Sequence, residues 1–353
     1  MRGHPRLAAA AACLLLALGG CAHAMPAAQA GPLLDALFAP PTAAELAAVE
    51  ADWAARDTRV HDFRVEHVER DGATGRTMVV SHVVGGARHY GAVRVPDGAA
   101  GPLPVLVIGH GGDDGATGYH FFHSGPLARG FVQVLPSFRS ETLRLTPFRG
   151  WRSGGTPSPW DRDVDDAIAL LNAALAHVPE ADSTRIAAFG RSRGGGVMLL
   201  MAIRDPRIKA VVSAVGPTDF LLPEVRRLAS RALGSRVARL PGAGYLADSV
   251  LFALRDGRTT VPQARMQLLR RSPAWFAHRL PPAQGHYGAL DPKVSVDHGD
   301  RLNAVMRGMG RDTAAWQYHR YPQGRHRYSS FPGAMARTEE FLVRAVNSPR
   351  VPR

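Results

Sequence analysis

The sequence predicts an α/β protein: a mostly parallel β-sheet with helices on both faces and a helical cap inserted over one end. Three observations carry this. Short apolar runs at 105–109, 131–135, 186–189 and 210–215 lack polar alternation, the pattern of strands buried on both faces in a parallel sheet. Helical patterns lie between such runs, at 161–177 and from Val197 through Leu199, Leu200 and Ile203. Between 217 and 281 the strand signal lapses and helical spacing takes over.

In chain order, residues 1–20 read as an export signal, with Arg2 and Arg6 as the basic flank, an apolar stretch over 7–18, and Gly19-Gly20 before Cys21. Leu18-Gly19-Gly20-Cys21 is similar to the lipobox of bacterial lipoproteins. That resemblance implies a lipid on Cys21 and an exported, extracytoplasmic protein held at a membrane. A plain secreted protein cleaved after Ala22 or Ala24 is the alternative. Residues 21–41, rich in Ala and Pro, have the composition of a tether. The domain proper is expected over 42–348.

Thr42 and Glu45 form a capping box, and Leu46, Val49 and Trp53 share one face, predicting a helix over 43–55. From 59 to 96 the period shifts to two, with Phe63, Val65 and His67 alternating and Gly85-Gly86 as a turn, which predicts antiparallel strands. The run at 105–109 ends in His110-Gly111-Gly112-Asp113-Asp114-Gly115. A helix is expected over 121–129 and a Gly/Pro/Arg loop up to Pro159. A helix over 161–177 follows, with Val164, Ile168 and Leu171 on one side. After the 210–215 strand, Pro223 starts a helix that Gly234 stops, and two more are expected at 245–254 and 263–270. These make up the cap, about 221–277; ordinary crossover helices are the other reading. Alternation then resumes: strand 283–288, helix 295–309, strand 314–321, helix 334–346.

Composition narrows the function. At 353 residues, 45% hydrophobic and 21% charged, the chain is long and apolar enough to bury a large core. The net charge of +13 comes from dispersed arginines and only two lysines, Lys209 and Lys293. No stripe tracks a phosphate backbone, so nucleic acid is not expected as a partner. Cys13 lies in the signal, leaving Cys21 alone at the mature end, which excludes disulfides, a cysteine nucleophile and cysteine-rich metal sites.

Gly190-Arg191-Ser192-Arg193-Gly194-Gly195-Gly196 stands between a buried strand and a helix. A serine at so sharp a turn exposes its hydroxyl, and small neighbours let strand and helix approach. Serine needs a base, and the base needs a group to fix its tautomer. Asp291, in Gly288-Ala289-Leu290-Asp291, and His326, in Gly324-Arg325-His326, both follow predicted strands. They supply acid and base in the order Ser192, Asp291, His326. Asp219, after the 210–215 strand, is the competing acid. His286 and His319 are expected to be structural. His110, His120 and His123 with Asp113 and Asp114 show no ligand spacing of a known metal motif, and neither metal nor cofactor is expected. The developing oxyanion needs N–H donors, assigned to Arg193 and to Gly111 or Gly112. The side chains of Arg191 and Arg193 are expected to pack and form ion pairs.

These pieces, with His110-Gly111-Gly112 and Ser272-Pro273, resemble an α/β-hydrolase, most closely the catalytic domain of the prolyl oligopeptidase and dienelactone hydrolase group, over residues 60–347. The resemblance implies Ser192, Asp291 and His326 as nucleophile, acid and base. The segment before the sheet is too short for the β-propeller that peptide-cleaving relatives carry. The expectation is a serine hydrolase acting on a carboxylic ester. A peptidase acting on short peptides or aminoacyl amides, and a non-catalytic binding protein on the same fold, are the alternatives.

Overall fold

The computed structural model describes residues 25–70, 74–98, 100–146 and 149–349. The expected export signal and Cys21 lie outside the described residues. Strands β1 (His61–Arg70), β2 (Gly75–Val84) and β3 (Ala87–Pro96) form an antiparallel meander. Gly85 and Gly86 turn β2 into β3 with φ of 56° and 77°, a left-handed pair that glycine adopts without steric cost. The strands β4 (Leu103–Gly109), β5 (Val132–Pro136), β8 (Ala181–Arg191), β9 (Ile208–Ala214), β10 (Ala283–Gly288) and β11 (Trp316–Tyr321) are parallel. Between β5 and β8, the pair β6 (Thr142–Thr146) and β7 (Arg149–Arg152) forms a separate hairpin. The main sheet runs β1-β2-β3-β5-β4-β8-β9-β10-β11.

Alternation within the buried runs splits the core into two layers. Val105, Val107, Ile186 and Ala188 face one cluster, and Leu106, Ile108, Ala187 and Phe189 face the other. On the first face pack helices α1 (Ala27–Leu37), α2 (Ala43–Ala54), α4 (Arg162–His177) and α5 (Arg193–Arg204). The second face is covered by α3 (Gly125–Gly130) and α11 (Ala334–Asn347), through Leu127, Phe341 and Leu342. Between β9 and β10 the chain inserts the helical cap: α6 (Pro223–Leu233), α7 (Ala243–Leu246), a π-helical turn (Ala247–Phe252), α8 (Ala253–Arg255) and α9 (Val261–Leu269). Helix α10 (Asp297–Gly308) joins β10 to β11.

Three expectations need correction. Most of the segment expected to be a tether is helix α1, with Ala30, Leu34 and Leu37 buried. Pro32 and the alanines hide this spacing in the sequence. The α1 carbonyl end is gripped from the cap: Arg265 on α9 donates to the carbonyls of Ala36, Leu37, Ala39 and Pro40 and pairs with Glu45. The amide of Met25 donates to Leu233 O at 3.0 Å, so both ends of α1 touch the cap. The helix expected over 121–129 is only α3, because Phe121 and Phe122 are spent on the core and Gly125, at φ 80°, turns the chain before Pro126. The expected Gly/Pro/Arg loop contains the β6–β7 hairpin, whose inner residues Leu143 and Trp151 are buried.

Candidate active site

Strand β8 delivers Arg191 to the carboxyl edge of the sheet and α5 begins at Arg193, leaving Ser192 on the corner at φ 54°, ψ −125°. A non-glycine residue in that region is strained, and the Ser192 amide is held there by a 2.8 Å bond to Ala214 O. The corner closes because its neighbours lack side chains. A Cβ on Gly190 would lie 2.1 Å from Gly194 O, and one on Gly194 would lie 2.1 Å from Gly109 O.

The structure brings the three predicted side chains together. Asp291, beyond β10, accepts from the amides of Lys293 (2.8 Å) and Val294 (3.1 Å) through Oδ1. Its Oδ2 lies 2.7 Å from His326 Nδ1, in the loop after β11. A carboxylate only accepts, so Nδ1 carries the proton and Nε2 is left to accept from the Ser192 hydroxyl at 2.9 Å. The Asp291 side chain is buried while His326 keeps one edge open. Asp219 is committed elsewhere: it accepts from Leu221 N and Trp275 Nε1 and pairs with Arg301.

Gly111 and Gly112 border the same cleft as Ser192. A Cβ on Gly111 would press to 3.1 Å on the Ser192 Cβ, and Gly112 turns with φ 77°, so both positions favour glycine. The Arg193 side chain, which is buried, ties this turn to the serine corner. It meets Asp163 at 2.8 and 2.9 Å, donates to Gly112 O at 3.2 Å, pairs with Glu141 and lies over the Phe138 ring. Burial raises the Glu141 carboxyl to about 7 against the pull of Arg193. Glu141 was not singled out from sequence, because it sits in an irregular segment with no periodicity to mark it.

Of the histidines expected to be structural, His286 is buried in a network and His319 stacks on it, half-buried. His286 bonds Tyr321 Oη and Gln284 Oε1, both at 2.8 Å, and stacks on His319. His110 packs on Phe138, and burial holds its pKa well below the ordinary range. His120 hydrogen-bonds to Thr117 and His123 to Gly118 O, so the loop spreads these rings over separate partners.

Two spaces open on Ser192. One is an apolar cavity of about 140 Å³ under the cap, walled by Trp160, Phe220, Val225, Leu228, Leu246 and Val250. The other is a wider cleft of about 510 Å³ bounded by the glycine turn, His120, Arg191, Arg325, His326 and Arg327. His326 borders the cleft and is absent from the cavity wall.

Residues 121–348 match the family described as the prolyl oligopeptidase family. Hydrolase LUC6 of Fusarium sp is 34% identical over 130 residues, 34% of this chain and 28% of that protein. Esterase FrsA of Shigella boydii is 32% identical over 161 residues, 44% of this chain and 35% of that protein. The chain thus spans about a third of the length of these curated relatives. Acetyl xylan esterase 1 from Thermoanaerobacterium sp. superposes with a TM-score of 0.61 at 17% identity, covering 92% of this chain and all of that one. At that identity the likeness is one of fold. With the match covering well over half of its length, the chain belongs to the prolyl oligopeptidase family of serine hydrolases, and its fold is that of the α/β-hydrolases.

Proposed function

We propose that this protein hydrolyses carboxylic esters through an acyl-enzyme on Ser192. The observation that carries the reading is the unbroken hydrogen-bond chain from Ser192 Oγ through His326 to Asp291. As Oγ bonds to the acyl carbon, His326 Nε2 takes its proton, then returns it to the alkoxide oxygen as the C–O bond breaks. Water repeats the cycle and releases the acid. Asp291 holds the tautomer and steadies the imidazolium. The amide of Arg193 and an amide of the Gly111-Gly112 turn meet the oxyanion. No cofactor enters this chemistry.

A fluorophosphonate probe is expected to label the wild type and leave Ser192→Ala unlabelled; equal labelling refutes the nucleophile. Asp291→Asn is expected to lower kcat by about four orders of magnitude through the wrong tautomer. If Asp219→Asn does this instead, the acid is Asp219.

Peptidase action on short peptides or aminoacyl amides is the second reading, favoured by the family match. The mostly apolar cavity under the cap, with no carboxylate among the described residues of its wall to receive a free amino terminus, supports the ester. p-Nitrophenyl esters compared with aminoacyl p-nitroanilides decide it: any anilide whose kcat/KM reaches that of the best ester makes this a peptidase. If folded protein turns over no ester, amide or lactone, the protein is a binding module.

The sequence further supports export and a lipid on Cys21 as part of this proposal. Mass spectrometry of the mature amino terminus checks it; an unmodified terminus beyond residue 21 makes the protein a secreted one.

A further inference from the structure

Arginines buried in this molecule are typically held against carboxylates. Arg56 meets Asp161 at 2.7 Å, Arg139 meets Asp166 at 2.5 Å, Arg193 meets Asp163 at 2.8 Å and Arg204 meets Asp165 at 2.5 Å. Arg191 departs from that pattern. It is half-buried beside Ser192, and among the described residues no carboxylate lies within ion-pair distance of it. Burial lowers its pKa, against the opposing pull of the phenol groups of Tyr119 and Tyr328. A guanidinium remains charged in such a place, and it opens on the cleft, where an anion can meet it.

The walls around it carry the same sign. Arg325, Arg327 and Lys293 line the same cleft, and among the described residues its lining contains no Asp or Glu. None of these three has a carboxylate within 4 Å among the described residues. His120 adds no charge near neutrality, because burial and Arg191 hold it down at about 4. The cleft is thus a cationic bowl around one face of the Ser192–His326 pair, while the cavity on the other side is mostly apolar, with Arg193 in its wall and Lys293 shared between the two.

The two sides take different halves of a substrate. His326 must deliver its proton to the leaving oxygen, and it borders the cleft alone. The alcohol half therefore leaves through the cationic cleft, and the acyl half lies in the cap cavity. We infer that the natural substrate is an ester of an apolar acyl group with an alcohol bearing a carboxylate or phosphate, which Arg191, Arg325 and Arg327 recognise. This rests on the ester reading above and names its substrate class.

The test uses two esters with the same acyl group: 3-butyryloxybenzoate, whose leaving phenol carries the anion, and its neutral methyl ester. Each kcat/KM is divided by the rate in buffer alone to remove leaving-group differences. Charge-assisted bidentate contacts predict that the normalised ratio, anionic over neutral, exceeds about 10 in the wild type. It is expected to fall several-fold towards 1 in Arg325→Gln/Arg327→Gln, two exposed positions whose change leaves the core intact. Screening predicts that raising salt to about 0.5 M also lowers the wild-type ratio. A wild-type ratio at or below 1, or a ratio that the double variant leaves unchanged, overturns the inference while leaving ester hydrolysis standing. If neither ester turns over, the inference falls alone when fluorophosphonate still labels Ser192, and falls with the ester reading when it does not. To separate the two anion sources, phenyl phosphate and benzoate are compared as inhibitors of the neutral ester. Stronger inhibition by one identifies the group recognised, and no inhibition by either at millimolar concentration counts against the site.

Discussion

Arg193 is the residue on which the site's rigidity turns: its amide is the proposed oxyanion donor, and its side chain reaches Gly112 O, Asp163 and Glu141. One side chain thereby ties together the serine corner and the glycine turn, the two places proposed to supply the donors. Arg193→Gln strands Asp163 and Glu141 as buried carboxylates without their common cation. It is expected to cost about 3–5 kcal/mol of stability and to lower kcat more than it raises KM, measured by urea unfolding and steady-state kinetics. Glu141 offers a cleaner probe. Its folded pKa, about 7, lies above the ordinary carboxylate value, so the folded state holds a proton that the unfolded chain releases above about 4.5. Its contribution to stability is present at low pH and is lost as pH rises towards and through 7. Glu141→Gln, which cannot ionise, is therefore expected to gain stability relative to wild type between pH 5 and pH 8; an unchanged difference in urea midpoint contradicts this.

At the scale of elements, what sequence revealed and what it concealed have separate physical causes. Buried parallel strands announce themselves because both faces must be apolar, and the Ser192 corner does so because Gly190 and Gly194 have no room for a Cβ. Asp291 and His326 were legible as residues that follow strands, since sheet topology alone carries such positions to one edge. The contacts that escaped are between distant segments. Nothing near Arg265 says that it will collect four carbonyls from 36–40, and nothing near Arg191 says that its charge will lack a carboxylate partner among the described residues. Helix α1 escaped for the same reason: its apolar face has meaning only against α6 and α9. Arg265→Ala removes the clasp and leaves these carbonyls without their donor, at a cost of about 3 kcal/mol. Faster proteolytic cleavage within 223–269 is the expected readout, with slower cleavage than wild type excluding the clasp.

Across the whole molecule, the response to acid follows from which groups are buried. Desolvation holds His82, His120 and His298 at about 4 and His89 and His286 at about 3, with His110 and His319 also lowered. Between pH 6.5 and about 4 the unfolded chain takes up protons at these rings that the folded chain refuses. Stability therefore falls as pH falls through that window. Glu141 and Asp166, both raised to about 7 chiefly by burial, and Glu339, also raised by burial, act in the opposite sense, but they are three groups against seven. The urea midpoint is expected to drop from pH 7 to pH 5, and a rise would reverse the balance drawn here. The clasp between α1 and the cap has a mechanical consequence of its own. Tension applied at the amino end travels through Met25 and Arg265 into the cap helices before it reaches the sheet. Four peptide steps separate Cys21 from Met25, at most about 15 Å of chain. A lipid at Cys21 would moor the enzyme by its roof, so that the apolar cavity, rather than the sheet, lies nearest the bilayer from which a greasy acyl chain would come.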